Sequence, residues 1–205
     1  MRRHIESIRV TEDQRRSSAM TVGPVQEPVS VDELRQHLRI ETRDEDDYLA
    51  GLIQAAREMV ETDTRRALCT QTRVLRLDDF PWGIELDRIP VQSISSIKYY
   101  DLLNTQQTLD SSQYDYDLAE VPPIVVESHT ATWPATYERV GAVEVTFVCG
   151  HTSISAVPGM AKQAILRLAA GWYSTREAEV VGTISTALKL SYDSLIGRLK
   201  WGDYR

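Results

Sequence analysis

Along this chain the hydrophobic period changes twice, and that change limits the fold more than any single motif. Between Tyr48 and Val60, apolar residues recur every three or four positions (Leu49, Leu52, Ile53, Ala56, Met59), drawing a wide apolar stripe down one side of a helix. From Thr70 to Cys149 the spacing becomes strand-like. "AVEVTFVC" sets Val143, Val145, Phe147 and Cys149 on one side, and "TRVLRLDD" does the same with Leu75 and Leu77. Helical spacing then returns through Ile165, Leu168, Ala169 and Trp172, with Leu166 and Tyr173 widening the face. Helices therefore bracket a strand-rich insert, and the expected fold is α+β: a helical bundle core of about four helices with an inserted antiparallel β-rich subdomain.

Local signals place the boundaries. Residues 1–27 carry few apolar residues, no sustained period and a local excess of arginine, which predicts a flexible N-terminal arm, with Met20 as a second candidate start. Residues 28–69 hold the N-terminal helices of the core. The first opens on Ser30 with Glu33 three positions on, a capping box followed by Val31, Leu34 and Leu38 on one face, and it should end near Ile40. Residues 70–150 form the β-rich insert, in which "ISSIKYYDLL" and "QQTLD" pair across a turn at Asn104-Thr105 that lacks the usual glycine. Pro81, Pro90, Pro122, Pro123 and Pro134 keep its strands short, because proline cannot sit mid-sheet. Residues 151–187 supply a third core helix starting at Pro158 and the loop "EAEVVGTIST"; residues 188–205 supply a C-terminal helix and tail.

The run "DEDD", Asp44 to Asp47, admits two readings. As a helix start, its carboxylates cap free N–H groups and oppose the positive end of the macrodipole. As a catalytic cluster, it would serve a metal-dependent phosphodiesterase, but such sites gather acids from separate elements, whereas consecutive acids on one turn point apart. The helix start is the better account. No metal set or cofactor motif is found: Cys149-Gly150-His151 could give two ligands, but nothing nearby completes a site. His4, His37, His129 and His151 have no spacing suggesting a triad, so no catalytic residues are assigned. Cys69 and Cys149 read as reduced, buried thiols.

The formal net charge of -7 argues against broad, tight binding of nucleic acid, which relies on Lys and Arg displacing counterions. No run approaches the roughly 20 apolar residues of a membrane span. Trp172 and Tyr173 suit either the core or an interface, since amphipathic aromatics serve both. Arg65 and Arg66 complement the end of the second helix or contact nucleic acid.

In order, "EPVSVDELRQHLRI", "DEDDYLAGLIQAAREMVE", "IPVQSISSIKYYD", "GAVEVTFVCG", "VPGMAKQAILRLAAGWYSTREA" and the terminal Tyr204-Arg205 resemble the tailed-phage head–tail connector family, whose members are also called adaptors or head-completion proteins and have relatives in prophages and gene transfer agents. The matching positions include His37-Leu38-Arg39, Pro90 to Ile94, Trp133-Pro134-Ala135, Phe147 with Gly150, and Trp172-Tyr173 ahead of Arg176-Glu177. The longer arm and the missing hairpin glycine depart from the family pattern.

The resemblance implies a structural virion protein, not an enzyme. It would form a ring, expected to be dodecameric, docked beneath the portal protein, extending the DNA channel and offering a platform to a stopper or tail-completion protein. Such a protein would assemble in the host cytoplasm and reside in the head–tail neck, binding no membrane and letting double-stranded DNA pass without specific contact. A monomeric protein-binding adaptor is the other non-enzymatic reading. Two sets of residues follow as expectations. Leu195, Ile196, Arg198, Leu199, Lys200, Trp201, Tyr204 and Arg205 would dock on the portal, apolar anchors beside positive charge. Glu41, Asp44, Glu45, Asp46 and Asp47, with acids from Glu58 to Asp63, would face the channel or another solvated surface.

Overall fold

The computed structural model describes residues 16–175 and 186–200. Its elements run β1 (Arg16–Val22), α1 (Val31–Leu38), α2 (Asp46–Thr64), β2 (Gln71–Leu77), β3 (Gly83–Glu85), β4 (Val91–Tyr100), β5 (Gln106–Thr108), β6 (Tyr114–Asp117), β7 (Ile124–Glu127), β8 (Val143–Cys149), α3 (Gly159–Ser174) and α4 (Thr186–Ile196). Among the described residues, four α-helices and two antiparallel sheets make the α+β architecture that the change of period predicts.

The helices pack through their apolar stripes. α3 lies against α1, α2 and α4, and the shared core is built from Leu34, Leu49, Ile53, Val60, Ile165 and Ala169, all at most 1% exposed. α1 starts as expected: Ser30 Oγ accepts from Glu33 N at 3.2 Å while Glu33 Oε2 accepts from Ser30 N at 2.7 Å. These two bonds satisfy N–H groups that the first turn would otherwise leave open. The Glu33 carboxylate is held below its ordinary pKa chiefly by its bond with the Ser30 backbone.

The strands between α2 and α3, with β1 added at one edge, build a five-stranded sheet in the order β1-β2-β8-β4-β5 and a three-stranded sheet in the order β3-β7-β6. β8 is central, and Val143, Val145, Phe147 and Cys149 are fully buried, as their alternation requires. They join Leu75, Ile84, Ile97 and Val125 in a second core separate from the helical one. The hairpin between β4 and β5 forms without glycine because Asn104 takes the left-handed conformation itself, at φ 58°. Asparagine visits that region more readily than other side chains.

One expectation changes. Within the arm expected over residues 1–27, Arg16–Val22 form a strand paired antiparallel with β2 along the sheet edge. Its exposed, mostly polar side chains leave no apolar alternation to read, and its ladder bonds come from a partner strand remote in sequence, Val22 pairing with Thr72 and Arg16 with Leu77. Residues 1–15 lie outside the described residues.

Candidate functional surfaces

The acidic turn stands at the start of α2, but not as a set of caps. Glu45 occupies the N-cap with no side-chain cap bond; its carboxylate accepts instead from the Tyr173 hydroxyl on α3. Asp46 Oδ1 lies 3.1 Å from Arg35 Nε of α1. These two acids tie α2 to its neighbours, while Glu41, Asp44 and Asp47 are exposed. Among the described residues no three His, Cys, Asp or Glu side chains come together as a metal would need.

The acids further along α2 divide. Glu58 is exposed, but Glu61 turns inward, against the expectation of a solvated face. Glu61 Oε1 accepts from Leu68 N at 2.7 Å and from Gln71 Nε2 at 3.1 Å, and its Oε2 accepts from Arg57 at 3.1 Å. Arg57, 2% exposed, also donates to Glu27 at 2.7 Å. Burial acts to lower the Arg57 pKa, but the bond with Glu27 and the charges of Glu61, Glu27 and Glu58 outweigh it and raise it. Asp63 accepts from the Tyr192 hydroxyl at 2.7 Å, fastening α4 to α2. The Arg57–Glu61 spacing of four on a helix was legible in the sequence; its burial was not, because that depends on Gln71 and Glu27 arriving from other elements.

That network sits where the chain enters and leaves the β-rich region. Gly150 N donates to Pro90 O at 2.8 Å, and Gln92 Nε2 bridges Gly150 O at 2.7 Å and Thr70 Oγ1 at 2.9 Å. Cys69 and Cys149 are buried free thiols beside it, pushed up to about 11 and about 12 chiefly by burial. The His151 imidazole is lowered by burial and then by the Arg66 charge.

The C-terminal segment also divides. Ile196 and Leu199 are 2% and 5% exposed and belong to the helical core, and Leu199 O accepts from Arg66 Nε at 2.7 Å. Leu195 is partly buried against the same core, so these three side chains are not free anchors. Arg198 and Lys200 are exposed, and Trp201, Tyr204 and Arg205 lie outside the described residues. Trp172 and Tyr173 pack, half-buried, on the helical core. Arg65 is the left-handed C-cap of α2, with φ 54°. No helix among the described residues is long and apolar enough to cross a membrane.

At the far end of the large sheet an open cleft of about 330 Å³ is lined by Arg16, Arg76, Arg139, Tyr100, Asp78 and Glu144, among others. Its acids are already engaged: Asp78 accepts from Gly141 N at 2.8 Å and Glu144 from Arg76 Nε at 2.8 Å. Arg139 stacks over the Tyr100 ring, 3.9 Å from its centroid, and donates to Asn104. No signal in the sequence marked this cleft, since its lining comes from four separate segments.

Residues 28–124 match the model of the family described as "Phage gp6-like head-tail connector protein". Three solved structures share the fold. "Neck of empty GTA particle computed with C6 symmetry" aligns at TM-score 0.73 and 25% identity, covering 92% of this chain and 97% of that one. "Virion of native gene transfer agent (GTA) particle" gives 0.72 and 23%, with 92% and 97% covered. "Neck of native GTA particle computed with C12 symmetry" gives 0.69 and 24%, with 93% and 97% covered. No curated protein sequence matches significantly. Fold and family match together define a structural protein of the virion-connector class. The chain is similar to head–tail connectors of the phage and gene-transfer-agent kind.

Proposed function

We propose that this connector works as a closed ring in the neck of a virion or gene-transfer particle, beneath the portal, with no catalytic role. The observation that carries the reading is the shared fold over 92% of the chain with a neck protein in a particle reconstruction. Neck reconstructions computed with C6 and C12 symmetry support a ring and favour twelve copies. Head-to-tail copies close such a ring through their rotation rather than through one strong contact. Within it, the exposed carboxylates Glu41 and Asp44 border the DNA channel, so that duplex slides without adhering. The stopper or tail-completion protein binds the opposite rim. Assembly takes place in the host cytoplasm and the finished protein resides in the neck.

Portal docking falls to the end of the chain. Because Ile196 and Leu199 are committed to the core, the docking element is Arg198, Lys200 and the residues after them, with Trp201 and Tyr204 as aromatic anchors and Arg205 as a further cation. Deleting residues 201–205 should leave a folded protein that no longer joins portal, whereas a cut at 197 would also remove Leu199 from the core.

Negative-stain imaging of the purified protein with and without its portal tests the reading. Rings on the portal are expected; a protein that stays monomeric with portal present would be an adaptor of another kind. Duplex DNA should bind weakly at physiological salt, and tight, salt-sensitive binding by the ring would overturn the acidic channel.

A further inference from the structure

The hairpin joining β4 to β5 carries two leucines in water. Leu102 is 66% and Leu103 86% exposed, yet the turn presenting them is closely bonded. Asp101 Oδ1 accepts from Leu103 N at 2.9 Å and Thr105 N at 3.0 Å, its Oδ2 accepts from Gln107 at 2.8 Å, and Asn104 N donates to Asp101 O at 2.7 Å. Much of the ordering that binding would demand is therefore complete beforehand. Beside the tip stand exposed Val140 and the arginine-lined cleft, where three guanidiniums face two engaged carboxylates. The cleft lining thus holds one more cation than anions, beside apolar side chains.

The same chain carries the opposite surface. On the outward side of α2, Gly51, Ala55 and Met59 follow one another at four-residue spacing, all exposed, Met59 at 38%. Asp47 and Glu58 flank this line. A Cβ built on Gly51 would meet nothing within 4 Å, so the line is shallow enough to seat a branched side chain. Apolar and acidic on α2, apolar and basic at the sheet end: the two surfaces differ and complement each other, as a head-to-tail contact requires and a two-fold contact does not.

We propose that neighbouring copies join by seating Leu102 and Leu103 of one copy on the Gly51–Ala55–Met59 line of the next, with Arg139 and Arg76 directed at its Asp47 and Glu58. This rests on the ring reading and specifies the ring's subunit contact. It gives Asp47 to the contact and leaves Glu41 and Asp44 to the channel.

Particles assembled with the full chain carrying Leu103→Cys and Ala55→Cys, treated with a short bis-maleimide, should give a ladder of covalent multimers, and neither single variant should. The native cysteines are buried and leave little background. If imaging shows the ring in those particles but no ladder forms, or Leu103→Cys is joined to a different virion protein, the contact is wrong while the ring stands. If unmodified particles show no ring, the ring reading falls and takes the contact with it. Should the cysteine pair fail to assemble, charge exchange decides. Glu58→Arg and Arg139→Glu should each reduce ring formation about tenfold, and the double exchange should restore it; failure to restore overturns the contact.

Discussion

Gly150 and Cys69 approach so closely that a Cβ built on Gly150 would lie 2.1 Å from the Cys69 carbonyl oxygen, and Gly150 itself has φ +101°. The two residues mark the points where the chain leaves and enters the β-rich region, so this contact locks the sheets to the helices. Any side chain would meet both a clash and an unfavourable backbone. Gly150→Ala should cost about 3 kcal/mol or more in urea unfolding, and a loss under about 1 kcal/mol would show that the junction yields.

Glu61 should be among the most sensitive charged positions. Glu61→Ala leaves Arg57 buried with one partner fewer and strips the acceptor from Leu68 N and Gln71, so a loss of about 3–5 kcal/mol is expected. Glu58→Ala, on the exposed side of the same helix, should change stability by less than about 0.5 kcal/mol. Equal losses at the two positions would contradict the buried network.

Stability should depend on pH through His151. Burial first, and the Arg66 charge second, lower its folded-state pKa below the ordinary 6.5. The unfolded chain then takes up the proton more readily than the folded one. Stability is complete above 6.5 and declines as pH falls from there through the folded value. His151→Gln should show a shallower loss between about pH 7.5 and pH 5.5 in urea unfolding than the natural protein. Identical slopes would show that His151 is not the group responsible.

The thiols offer a probe of the junction. With Cys69 and Cys149 pushed up to about 11 and about 12, little thiolate is present near neutrality, and both sulfurs are buried. Alkylation of the folded protein at about pH 8 should be at least ~100-fold slower than in strong denaturant. Rapid labelling of either thiol in the native protein would mean that the junction opens readily.

Starting the chain at Met20 would remove Arg16 to Ala19 from β1 and their pairing with Val74 to Leu77. It would also remove the bonds from Arg16 to the Glu85 carbonyl and from Arg73 to Ser18. As β1 is an exposed edge strand, the expected cost is modest, about 1–3 kcal/mol, read as a lowered Tm. An unchanged Tm would show that β1 adds nothing to the fold.

What the sequence determined by itself was set by short-range patterns. The period of apolar residues distinguishes helix from strand, the Ser30–Glu33 pair fixes where α1 begins, and the alternation through β8 names its four buried side chains, because each depends on residues within a few positions. The ordered series of motifs likewise pointed to the connector family. Only the tertiary structure decided what a polar or marginal residue does. Glu61 is buried and Glu58 exposed although both lie on α2, because Leu68, Gln71 and Arg57 converge on one of them. Ile196 and Leu199 serve the core rather than a free tail because α2 and α3 leave an apolar groove for α4 to fill. Arg16 to Val22 become a strand because β2 presents an open edge. In each case the deciding partner is remote in sequence, so its contribution to the free energy leaves no periodic trace in the segment it orders.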